Sequence, residues 1–219
     1  MRFLAHILSV AFSLAFAANS ACGALANPSF ELTTDWTWSP SANAFRYKAS
    51  SLGVTAQDGS YVAELYAAHQ SIVPTVSQTV TAGVAPGQYW TFSGYAMNSM
   101  NNSLSADCFG AVKVEYIGGT GGTFLLEHVA ETATWDWQPF SLTTTTPTPA
   151  GITGVRFTAY LQPSLIEEYS SGILLYDQLA AVSEVPELST TGTFAVVGAF
   201  LAAGAHHLRT RKKSKSQVA

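Results

Sequence analysis

From Asn27 to about Glu184, apolar and polar positions alternate in short runs, and spacing of the helical kind is hard to find. Val76-Ser77-Gln78-Thr79-Val80 is one such run. In Ala111–Ile117, Val112, Val114 and Tyr116 fall on one side, with Lys113 and Glu115 on the other. Val155, Phe157, Ala159 and Leu161 alternate with Arg156, Thr158, Tyr160 and Gln162. Gln88–Ala96, Thr123–Ala130 and Ile173–Leu179 are the remaining strong runs, and Pro86-Gly87, Gly118-Gly119 and Gly121-Gly122 mark turns. Successive side chains of a strand point to opposite faces, so this pattern predicts half-buried strands joined by tight turns. About eight of them make an all-β fold, a two-sheet antiparallel jelly-roll sandwich. The Thr143–Thr146 run and Asn98–Ser103 are predicted loops.

The two ends follow other rules. Met1-Arg2 precedes Phe3–Ala18, which holds no acidic or strongly basic residue, and Ala24-Leu25-Ala26 offers a small-x-small site before Asn27. These features predict a signal peptide over 1–26, with Ala15-Phe16-Ala17 as the alternative cut. Near the other end, Leu188 to Leu208 contains no Asp, Glu, Lys or Arg, and Arg209, Arg211, Lys212, Lys213 and Lys215 follow. A helix of about 20 residues crosses a bilayer at ~1.5 Å per residue, and basic clusters beside a span stay cytoplasmic. The expected organisation is a signal peptide over 1–26, one domain over 27–184 and a membrane-anchored segment over 185–219.

Charge divides along the same lines. Between Asn27 and Glu184 there are thirteen acids and four bases, a formal −9, although the whole chain carries only −4. Such a domain repels phosphate backbones, so no nucleic-acid partner is expected. Of the two cysteines, Cys22 and Cys108, only Cys108 survives a cut after Ala26, where it reads as a small buried hydrophobe. A cut after Ala17 keeps both and permits a bridge.

No catalytic constellation stands out. Glycoside hydrolysis needs two carboxylates at a set separation, and the adjacent Glu167-Glu168 project differently. His69 and His128 stand without a nucleophile motif, and no zinc-type spacing or phosphate loop occurs. A non-catalytic protein is expected.

Val185, Pro186, Glu187, Ser189 and Thr190, followed by the uncharged stretch and the basic end, resemble the PEP-CTERM sorting signal of Gram-negative bacteria, with Leu188 where a second proline is usual. That resemblance implies recognition by an exosortase-type membrane protease and delivery to the cell surface or an exopolysaccharide matrix. A second resemblance spans nearly the whole domain. Asn27-Pro28-Ser29-Phe30-Glu31, Gln57-Asp58-Gly59-Ser60-Tyr61, Pro86-Gly87-Gln88-Tyr89-Trp90, Trp135 and Leu175-Tyr176-Asp177-Gln178-Leu179 are similar, in order and spacing, to the jelly rolls of carbohydrate-binding modules. It implies a polysaccharide partner and a structural calcium tying the first strand to the last. Glu31 and Asp177 would be its carboxylates, with the Asp58–Ser60 turn completing the site. It also places Trp36 and Trp135 at scaffold positions. A sugar has an apolar face and polar edges, so the outward set Arg156, Tyr160 and Gln162 is the expected carbohydrate site. The alternative is a structural or adhesive envelope protein with no sugar site.

Overall fold

A computed structural model describes residues 25–69, 71–105, 107–130, 135–164 and 171–185. Residues 1–24 of the expected signal peptide, the expected sorting and membrane segment from Pro186 onward, and Glu167-Glu168 lie outside the described residues. Among the described residues ten strands follow one another: β1 (Thr37–Ser39), β2 (Ala44–Lys48), β3 (Tyr61–Ala67), β4 (Thr75–Val80) and β5 (Tyr89–Asn98), then β6 (Phe109–Ile117), β7 (Thr123–Glu127), β8 (Gln138–Thr143), β9 (Gly154–Gln162) and β10 (Gly172–Glu184). One 3-10 turn, Ala49–Leu52, lies between β2 and β3. The strands form two antiparallel sheets, β1-β4-β9-β6-β7 and β2-β3-β10-β5-β8, as a jelly-roll sandwich.

Alternation determines the core. Val155, Phe157, Ala159 and Leu161 of β9 are buried, as are Val112 and Val114 of β6. From the second sheet, Trp90, Phe92, Leu174, Tyr176 and Leu179 meet them in one cluster. Phe157 packs between Trp90 and Phe92, with ring centroids 5.6 and 5.5 Å away. The buried Tyr176 hydroxyl lies 2.9 Å from the Tyr160 carbonyl and 3.1 Å from that of Ala111, linking the layers through a polar atom. Cys108 is buried, with its sulfur 3.0 Å from the Ser105 hydroxyl.

β10 extends further than the alternation indicated, and it contains a bulge. Its register on β5 shifts between Asp177 and Ala180, and Gln178 takes φ 50°. The displaced Leu179 N–H donates to the Pro28 carbonyl at 3.0 Å instead of to β5. Gly94 makes room, because a Cβ there would lie 2.6 Å from the Leu179 side chain. The bulge thereby turns the last strand toward the start of the domain.

Candidate functional site

Two regions contain the side chains singled out from the sequence. The first is the junction where residues 27–31 meet the 57–61 turn and β10. Asp177 is buried, and its Oδ2 accepts the N–H groups of Gln57 at 2.6 Å and Asp58 at 3.1 Å. Its Oδ1 accepts the Gln178 N–H at 2.7 Å. Glu31 Oε1 accepts the N–H groups of Ser60 at 2.7 Å and Tyr61 at 2.9 Å. The two carboxylates therefore grip opposite ends of one turn. Gly59, at φ 68°, lies between, and a Cβ there would fall 2.3 Å from Glu31 Oε1. The Ser29 hydroxyl donates to Asp58 Oδ2 at 2.6 Å. Arg46 donates through Nε to the Phe30 carbonyl and through a terminal nitrogen to that of Glu31 at 2.6 Å, while stacking 3.2 Å above the Tyr61 ring.

Burial is the main influence on Asp177 and pushes its carboxyl up to about 6. The Asp58, Gln178 and Gln57 N–H groups pull the other way, and the Asp58 charge adds to the rise. Glu31, Asp58 and Asp177 all border the 57–61 turn, but their hydrogen-bond partners differ from those of a calcium cage. Calcium wants six to eight oxygens directed at one point. Here the oxygens of Asp177 and one oxygen of Glu31 are turned onto N–H donors. Among the described residues, no three His, Cys, Asp or Glu side chains converge to hold a metal. As placed, this donor set is not a preformed calcium cage, because both Asp177 oxygens and Glu31 Oε1 face N–H donors rather than a common point.

The second region is the outward face of the β1-β4-β9-β6-β7 sheet. Arg156, Tyr160 and Gln162 share the outer face of β9, Arg156 exposed and the others half-buried. Register places Thr75, Tyr160, Ala111 and Glu127 in one row across the sheet. The next row is Ser77, Thr158, Lys113 and Leu125, and the third is Thr79, Arg156, Glu115 and Thr123. Gln162 stands opposite Phe109, whose ring lies against His128 with centroids 4.4 Å apart. Lys113 Nζ lies 3.2 Å from Glu115 Oε2. Burial, and then the Glu127 charge, push the Tyr160 hydroxyl above its ordinary range. Thr158 Oγ1, buried at the centre, has no hydrogen-bond partner among the described residues. The face thus presents aromatic rings beside amide, guanidinium and carboxylate groups. Glu127, Phe109 and His128 were not singled out for it. Their part depends on the β6 register, for which the sequence carries no local signal.

The tryptophans divide. Trp36 is buried against Phe30, with its indole N–H on the Asn27 carbonyl at 2.8 Å, as a scaffold position requires. Trp135 is 52 % exposed, with only a 3.3 Å bond to the Ser103 hydroxyl, which corrects its expected core role. The neighbouring Trp137 fills scaffold space instead. It packs beside Val62, Met97 and Leu175 and donates to the Thr55 carbonyl at 2.7 Å.

No protein-family model matches the chain. No curated protein matches it either. Solved structures do. The carbohydrate-binding module TmCBM61, solved in complex with β-1,4-galactotriose, is similar over 74% of this chain and 99% of its own, with TM-score 0.51 and 16% identity. An apo-form cyclase from Fischerella sp. is similar over 78% of this chain and 100% of its own, with TM-score 0.54 and 16% identity. The enzymatically active domain of bacteriophage CBA120 tailspike protein 4 matches 73% of this chain and 21% of its own, with TM-score 0.50 and 13% identity. At these identities the likeness shows the fold. The domain is a jelly roll of the kind found in carbohydrate-binding modules, an architecture it shares with proteins named as cyclases.

Proposed function

We propose that this is a non-catalytic, exported protein that binds polysaccharide through the outward face of the β1-β4-β9-β6-β7 sheet. The arrangement of Arg156, Tyr160 and Gln162 on one strand face carries the reading, with Phe109 and Glu127 on the adjoining strands. A sugar ring lies flat on an aromatic side chain, and its hydroxyls take hydrogen bonds from amide and guanidinium groups at the rim. A neutral or weakly charged glycan suits a domain with a formal charge of −9 over 27–184. We further propose that the segment from Val185 onward sorts the chain through an exosortase-type protease. The domain would then reach the cell surface or extracellular matrix of a Gram-negative bacterium.

A glycan array probed with the full chain tests the binding. Retained glycans that carry no free amine should be lost in Tyr160→Ala and weakened in Arg156→Ala and Gln162→Ala. If no glycan is retained, or the variants bind like the parent, the sugar-binding reading fails. A structural or adhesive envelope role would then remain.

A further inference from the structure

The opposite sheet carries a carboxylate with no charge partner among the described residues. Glu64 lies on the outward side of β3, directly across from Phe45 on the edge strand β2 and from Leu175 on β10. Its same-face neighbours along β3 are Val62 and Tyr66, two residues away on either side. Only 9 % of Glu64 is exposed, and its buried Oε2 has no hydrogen-bond partner among the described residues. No basic side chain among them lies within ion-pair distance. Burial holds this carboxyl above its usual range. A lone buried carboxylate is costly, and a fold with no use for it would be more stable with an apolar residue there. Beside it, Phe45 is 36 % exposed and Tyr47 43 %, on the same side of the edge strand. Their Cα atoms are about 7 Å apart along an extended strand.

A ligand for this place needs a positive group for Glu64 and an apolar surface for the rings. A sugar bearing a free ammonium has both, since its C–H face lies on an aromatic ring while the amine pairs with the carboxylate. An acidic sugar would be repelled by the domain's charge, and a neutral one brings no countercharge. We propose that Phe45, Tyr47, Glu64 and Tyr66 form a second binding site, which takes polysaccharides containing unacetylated amino sugar. This site is on the other sheet from Tyr160 and stands whether or not that face binds glycan.

Calorimetric titration of the full chain with β-1,4-glucosamine tetrasaccharide and its fully N-acetylated counterpart tests the proposal, at a pH where the amines are protonated. The free amine form should bind at least about tenfold tighter. Glu64→Gln keeps the shape and should erase that preference. It should also melt no lower than the parent, because it relieves a buried unpaired charge. Phe45→Ala should weaken both sugars, and Tyr160→Ala should leave the preference intact. Equal binding of the two tetrasaccharides, or a preference that survives Glu64→Gln, overturns the proposal. So does a lower melting temperature for Glu64→Gln, which would make the carboxylate structural. Binding of an oligolysine peptide without the glucosamine tetrasaccharide overturns it as well and assigns the site to a basic protein segment.

Discussion

Asp177 is held by backbone N–H groups of Gln57, Asp58 and Gln178. Its meeting with Glu31 and Asp58 is legible in the similarity to carbohydrate-binding modules. That the meeting point is a row of N–H groups is not, because backbone amides leave no mark in a sequence. Asp177→Ala strands the N–H groups of Gln57, Asp58 and Gln178. The cost should be about 3 kcal/mol, visible as a fall in Tm on the order of 10 °C. The pH dependence has a definite sign. A folded value of about 6 lies above the unfolded value of about 3.9, so the folded state holds this proton more tightly. This contribution to stability is full below about pH 4 and is lost as pH rises through about 6. The Tm of the parent relative to Asp177→Asn should therefore fall across that window. A difference that stays constant with pH would mean that Asp177 is not titrating there.

At the scale of the element, β9 is the strand whose two faces were most fully legible. Each of Val155, Phe157, Ala159 and Leu161 is fully buried, while Arg156 and Tyr160 stand on the other side. The reason is physical: a period of two has only two phases, and one holds all the large apolar residues. Two substitutions on this strand should therefore separate cleanly. Phe157→Ala removes a ring packed against Trp90 and Phe92 and should cost about 3–5 kcal/mol, measured by denaturant unfolding. Tyr160→Ala should leave stability within about 1 kcal/mol and act on glycan retention alone. Other elements were less legible. The bulge in β10 depends on Gly94 of the neighbouring strand, so nothing local to Ile173–Leu179 reveals it. Short edge strands such as β1, three residues long, have too few positions for alternation to register. Glu64 is visible in the sequence as an acid inside the apolar run Tyr61–Ala67, on the strand next to the sheet edge.

For the molecule as a whole, the question is how chain organisation serves delivery and how the sandwich is closed. The division of charge between an acidic domain and a basic end is a property of sequence alone, and it motivates the sorting segment. Deleting 185–219 should release the domain from the envelope in soluble form, judged by fractionation beside the full chain. Identical partition of the two would reject an anchoring role. Closure is settled by different means. Residues 27–31 reach the last strand through the Leu179 N–H on Pro28, and they hold the 57–61 turn through Glu31 and Ser29. Arg46 fastens the carbonyls of Phe30 and Glu31 and rests on Tyr61. A ligand stabilises a fold only if the folded state offers it a site, by RT ln(1 + [L]/Kd). With both Asp177 oxygens and Glu31 Oε1 turned onto N–H donors, millimolar calcium should give the same Tm as chelator. Arg46→Met, which keeps the chain length and loses the charge, should lower Tm in both conditions alike. A rise of several degrees with calcium in the parent would show that the junction rearranges around an ion, and would restore the metal to this fold.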